Sequence, residues 1–208
     1  VPGLAEYAGT AGLLSHATTD GGREFTRALG ESALRARQDL NSPAIQARPE
    51  ALAGLEDAPD QLLHVVGRDV EASQDIVGDT RTRDVLLGAG WDNGTGAASV
   101  LTAATKPVQA TPELATRSAE LTRTLFEDLG SDPTTWRELI PKSSDMSDAI
   151  TELAASRIET FVIPRDSGPA VLDPVADPGG GYVATVRLNT QDAAADDRID
   201  FLKFVATG

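Results

Sequence analysis

The sequence predicts a mainly α-helical chain: a multi-helix orthogonal bundle or a short solenoid-like helical array, with a minor β-strand near residues 182–188. Three observations lead there. Apolar residues recur every three to four positions along most of the chain, the period of a helix with one buried face. Prolines stand just inside prospective helix starts, behind residues able to cap, where a missing N–H is harmless and the fixed φ is already helical. Glycines and further prolines then interrupt each run. With 208 residues, 40% of them hydrophobic and 24% charged, the chain lies in the ordinary globular range.

Taken in order, Leu4 to His16 and Asp20 to Leu40 read as helices, with Ser42-Pro43 and Arg48-Pro49 punctuating the connection to the next one. Asp57-Ala58-Pro59 opens a helix through Leu62, Leu63, Val65 and Val66. Two more run from Asp69 to Val77 and from Asp79 to Leu87, with Gly67, Gly78 and Gly88 as breaks. After Trp91, either Asp92 or Thr95 is placed to cap a helix through Val100 and Leu101 to Thr105, with Pro107 beyond its end. Thr111-Pro112-Glu113 opens a long helix carrying Leu114, Ser118, Leu121, Leu125 and Leu129 on one face, and Gly130 stops it. Asp132-Pro133 begins a short turn with Trp136, Leu139 and Ile140, ended by Pro141. Ser143 or Ser144 caps the next helix, with Met146, Ile150, Leu153, Ala154, Ile158 and Phe161 at helical spacing, closed by Pro164.

The pattern changes after that proline. Residues 165–181 hold Pro169, Pro174, Pro178 and Gly179-Gly180-Gly181, and read as an exposed loop or linker. Tyr182 to Leu188 alternates with β-branched residues and predicts a strand, with Phe161-Val162-Ile163 as its evident partner. Asp192 to Val205 places Ile199, Leu202, Phe204 and Val205 in helical arrangement. The expected organisation is a helical domain over 1–164, the linker, and a strand plus helix over 182–208. A final helix so close to the last residue, and a start at Val1-Pro2 without Met, suggest a segment of a longer chain. No repeat of fixed period is present.

Charge narrows the partners. A formal charge of −14 opposes nucleic acid or an anionic bilayer, because binders of phosphate cluster Lys and Arg. Here Lys occurs only at 106, 142 and 203, and Arg is dispersed among acids. Apolar runs such as Val85 to Ala89 fall far short of the roughly 20 residues that cross a bilayer, so no membrane span is expected. The absence of cysteine removes disulfides and thiolate metal sites without identifying a compartment.

No catalytic, cofactor-binding or metal-binding residue is nominated, and no cofactor. The two histidines, His16 and His64, lack a second ligand at helical spacing. His64 lies between Leu63 and Val65, where a buried or half-buried packing role explains it better than catalysis. Ser15-His16 with Asp20 reads as a helix end followed by a cap, since no G-x-S-x-G elbow accompanies it. Glu56-Asp57, Glu127-Asp128 and Asp196-Asp197 are adjacent acids, which solvated surface explains; glycosidase chemistry needs carboxyls facing across a cleft. Asp92-Asn93-Gly94-Thr95-Gly96 lacks a calcium loop's final carboxylate, where Ala103 stands. As a phosphate loop it lacks the third glycine, replaced by Ser99. A glycine-rich lead-in to a helix is the better reading. Trp91 and Trp136 each stand beside a helix start, where a large ring seals a junction.

The order Asp69-Val70-Glu71-Ala72-Ser73, then Asp84-Val85-Leu86-Leu87-Gly88-Ala89-Gly90-Trp91-Asp92-Asn93-Gly94, then Ala97 to Thr105, then the helix from Pro112, resembles an actinobacterial group of large helical proteins. That group is labelled as containing a TPR repeat region and is associated with WXG100-like proteins, type VII secretion and polymorphic toxins. The likeness covers residues 62–161, and no WXG turn between two long helices is present. It implies a non-enzymatic structural or protein-interaction module of a secreted or surface-associated bacterial protein, the body of a toxin or effector. Its partners would be other regions of the same polypeptide or protein subunits, and a secreted or cell-surface location is favoured over the cytoplasm. Two other readings stay open: a carboxylate-based extracellular hydrolase fragment, and a helical module binding a peptide or small molecule.

Overall fold

The structure, a computed structural model, describes residues 9, 11–14, 16, 21–47, 55–88, 90–91, 93–131, 144–157 and 173–185. It is mainly helical with a small three-stranded antiparallel sheet. Outside the described residues lie most of the Leu4 to His16 helix, the Asp132 to Ile140 turn with Trp136, the Phe161 to Ile163 segment, most of the linker and the Asp192 to Val205 helix. The chain divides into two compact units, residues 1–104 with 142–146 and residues 105–141 with 147–208.

In the first unit the elements are α1 (Arg23–Leu40), α2 (Pro43–Gln46), α3 (Ala58–Val66), α4 (Val70–Gly78), α5 (Thr80–Gly88) and α6 (Thr95–Thr105), whose last residue belongs to the second. Helix α1 buries Thr26, Gly30, Ala33, Leu34, Arg37 and Leu40, steps of three and four that form one stripe. That stripe packs on α3, α4 and α5. Gly30 sits mid-helix, where glycine costs about 1 kcal/mol relative to alanine, because a Cβ there would run into the Ile76 side chain of α4. Outside this contact Arg23 binds Asp75 through Nε and Nη2, both at 2.8 Å, and Glu71 at 3.2 Å.

Local signals set most helix starts. Asp69 accepts the Ala72 N–H at 3.0 Å and Asp79 accepts that of Thr82 at 3.0 Å, each side chain satisfying a donor the helix cannot. Asp57 and Ser42 occupy cap positions without a side-chain bond, and prolines at the first positions carry α2 and α3 instead. Helix α3 buries Ala58, Pro59, Leu62, Leu63 and Val66. His64 falls off that stripe and is exposed, which corrects the expectation of a packing role: at 100° per residue the position after Leu63 turns toward solvent.

In the second unit β1 (Val108–Gln109) precedes α7 (Pro112–Ser131), then α8 (Ser144–Ser156, which belongs to this unit from Ser147 onward), β2 (Val175–Ala176) and β3 (Tyr182–Val183). The predicted face of α7 is buried at Ser118, Leu121, Leu125 and Leu129. It is widened by Ala115 and Ala119, which cluster with Ala184 under Tyr182. Strand β3 forms as expected at the start of 182–188, and its partners are ones the sequence did not suggest. Val183 pairs with Val108 and Val175, and Tyr182 with Gln109 and Ala176. The physical reason is a short hairpin inside the Pro/Gly-rich stretch. Asp177 donates its N–H to Gly181 O at 3.0 Å and accepts from Gly179 N on Oδ2 at 2.8 Å. Gly180 and Gly181 take φ of 98° and 92°, values that only glycine adopts at little cost.

Candidate functional site

In the first unit, polar and charged groups from distant parts of the chain meet at the start of α6. Four parts of the chain supply them: Arg37 near the end of α1, Asp60 in the first turn of α3, the described residues between Gly90 and Ala97, and Asp145. Gly90 and Gly94 have φ of 60° and 75°, so the chain after α5 turns twice through conformations that a side chain would strain. This is the glycine-rich lead-in that the sequence predicted.

Trp91, between those turns, is 3% exposed. Its Nε1 donates to Leu86 O at 2.7 Å, a carbonyl in the last turn of α5 that has no intrahelical partner. The Arg37 guanidinium lies 5.2 Å from the ring centroid and donates through Nη2 to Gly90 O at 2.7 Å. Burial strengthens such a cation–ring contact, which is worth about 0.5 to 2 kcal/mol. The tryptophan therefore seals the α5–α6 junction, as its place beside a helix start suggested.

Asp60 is the electrostatic centre. Its Oδ1 accepts the backbone N–H groups of Gly96 at 2.9 Å and Ala97 at 3.3 Å. Helix α6 is thus capped by a carboxylate 36 residues away in sequence. The local caps considered were Asp92, outside the described residues, and Thr95, whose hydroxyl instead donates to Asp145 Oδ2. Burial pushes the Asp60 carboxyl above its usual range. The two amides and the Arg37 charge oppose that shift, and the Asp145 charge adds to it. Close backbone approach makes the capping possible: a Cβ on Gly96 would land on the backbone oxygen of Asp60. Ser99 Oγ continues the contact by donating to Leu63 O of α3 at 3.5 Å, and within α6 it donates to Gly96 O at 2.7 Å.

A half-buried acid with a raised pKa beside a second carboxylate and a guanidinium is the pattern of an acid–base pair. Asp60 Oδ1 is already committed to two amides, the geometry of a cap. Sequence reading named neither Asp60, Asp145 nor Arg37. The only available signal was an acid in the first turn after Pro59, which reads as a complement to the dipole of its own helix.

The other residues weighed from the sequence do not converge. His16 and His64 are exposed, as are Glu56 and Asp57. Glu127 accepts from Arg123 Nη1 at 2.7 Å. Ser15, Asp20, Asp196 and Asp197 lie outside the described residues. Among the described residues no group of three or more His, Asp or Glu is placed to hold a metal ion.

The second unit has its own buried cation. Arg157, 0% exposed, donates to Ala184 O at 2.9 Å, Thr105 O at 3.2 Å and Ser118 Oγ at 2.9 Å. One fork thereby joins the end of α8, the end of α6, the middle of α7 and the chain after β3.

No protein family model, curated protein or solved structure matches the chain.

Proposed function

We propose that the chain is a structural, protein-interacting module of a larger secreted or surface-associated bacterial protein, the body of a toxin or effector. The observation that carries this reading is the use made of Asp60: its carboxylate holds the Gly96 and Ala97 amides and joins α3 to α6. Arg37 and Arg157 support it in the same way, their guanidinium groups being bonded to backbone carbonyls of neighbouring segments. Charges buried for helix-to-helix attachment are the chemistry of a scaffold. Among the described residues no helix is long and apolar enough to cross a membrane. With a charge of −14, the favoured partner is a protein with a basic face.

A carboxylate-based hydrolase is the second reading, favoured by the raised pKa of Asp60 and the nearby Asp145 charge. Co-expression with small helical proteins encoded beside its gene, followed by size-exclusion chromatography with light scattering, separates the two. The module reading expects a stoichiometric complex and no turnover of glycoside, ester or peptide substrates. Turnover that Asp60→Asn abolishes, without complex formation, would overturn it.

A further inference from the structure

Asn93 is exposed and is followed by Gly94, which is buried and has φ of 75°. Helix α6 begins one residue later. Gly94 contributes its carbonyl to the first helical bond, accepting from Ala98 N at 2.8 Å. Its own N–H precedes the helix, and no acceptor among the described residues takes it. The contrast with Asn41 is direct. There the following nitrogen, Ser42 N, is held by Asp39 O at 3.0 Å at the end of α1.

We propose that Asn93–Gly94 is a site of intramolecular modification, where the Asn93 amide converts to a carboxylate and part of the product is isoaspartate. Solvent hydroxide removes the proton from Gly94 N, and that nitrogen attacks Asn93 Cγ. The N–Cγ bond forms, the Cγ–Nδ2 bond breaks, and Nδ2 takes up a proton and leaves as ammonia, giving a cyclic imide. Water then adds to one of the two imide carbonyls. Opening at Cγ restores the ordinary backbone with Asp at 93; opening at the α-carbonyl routes the chain through Cβ and Cγ. One water is consumed, one ammonia is released, and nothing is oxidised or reduced.

Three features make this bond the reactive one. Glycine offers no Cβ to obstruct the attacking nitrogen. Exposure of Asn93 admits hydroxide and water. The product carboxylate forms beside the N-terminus of α6, where the helix dipole favours negative charge. The isoaspartyl product also lengthens the backbone at residue 93, three residues before Gly96, so it loosens the amides that Asp60 holds and the junction that Trp91 seals.

The test incubates the folded chain at neutral and mildly alkaline pH, with a parallel sample in urea. Peptide mapping and enzymatic methyl labelling of isoaspartate monitor each site. Expected are conversion at Asn93 about tenfold faster than at Asn41 in the folded chain, a rate rising with pH, and none at that position in Asn93→Gln. Trp91 fluorescence should shift as the product accumulates. A folded rate at Asn93 more than about tenfold below the urea rate, a barrier increase of about 1.4 kcal/mol, would overturn the proposal. Equal folded rates at Asn93 and Asn41 would do the same.

Discussion

Asp60 is asked to do two opposed things. As a cap it must offer oxygen to Gly96 and Ala97, and as a carboxyl away from water it resists ionising. The raised pKa says that desolvation outweighs the two amides and Arg37. That fixes the sign of the pH dependence. A carboxyl whose folded pKa lies above its unfolded value of 3.8 contributes stability that is complete below 3.8 and lost as pH rises through the folded value. Asp60→Asn keeps an accepting oxygen and never ionises, so wild type should gain on it as pH falls from neutral toward that value. Asp60→Ala removes the cap and should cost about 1 to 2 kcal/mol at neutral pH. Urea unfolding of the three proteins across that range measures both effects. A wild-type advantage over Asp60→Asn that grows with rising pH would contradict the assignment.

At the scale of elements, glycines allow the close approach of α3 and α6. Gly96 lies against the Asp60 backbone, and Gly67 likewise faces Ser99. Backbone cannot swing aside as a flexible side chain does, so Gly96→Ala should destabilise by about 1 to 3 kcal/mol or more. Gly88 gives the contrast: exposed at the end of α5, it has open space where a Cβ would go. Gly88→Ala should be neutral or stabilising, by up to about 1 kcal/mol, through the unfolded chain's lost freedom. Thermal melts of the pair decide it; similar losses at both positions would show that helix termination, not close approach, explains the glycines. Helices α4 and α5 were readable at this scale because Asp69 and Asp79 cap the helices they immediately precede. The pairing of β3 was not, because two-residue strands carry too little pattern to name a partner, and the hairpin at Asp177 to Gly181 lay in a stretch whose composition reads as loop.

For the molecule as a whole the dominant electrostatic fact is a charge of −14. Compaction draws like charges together, and added salt screens them. The exposed pairs of Arg23 with Asp75 and Arg27 with Glu31 weaken under the same screening, but such pairs contribute at most about 1 kcal/mol each. Self-repulsion therefore decides the direction. Raising ionic strength from about 0.01 to about 0.15 M shortens the screening length from roughly 30 to roughly 8 Å, and the melting temperature should rise. A fall, read by circular dichroism, would show that the surface pairs outweigh the net charge.

The amino-acid sequence by itself determined the helical class, most helix positions among the described residues and the glycine-rich lead-in to α6. Each of these depends on residues within a turn or two of one another: apolar spacing, a proline at a helix start, a glycine at positive φ. Tertiary structure alone decided that Asp60 caps α6, that Arg37 covers Trp91 and that Val108–Gln109 pairs with Tyr182–Val183. Those outcomes depend on groups tens of residues apart, and local pattern carries no record of which distant amide or carbonyl a buried charge will meet.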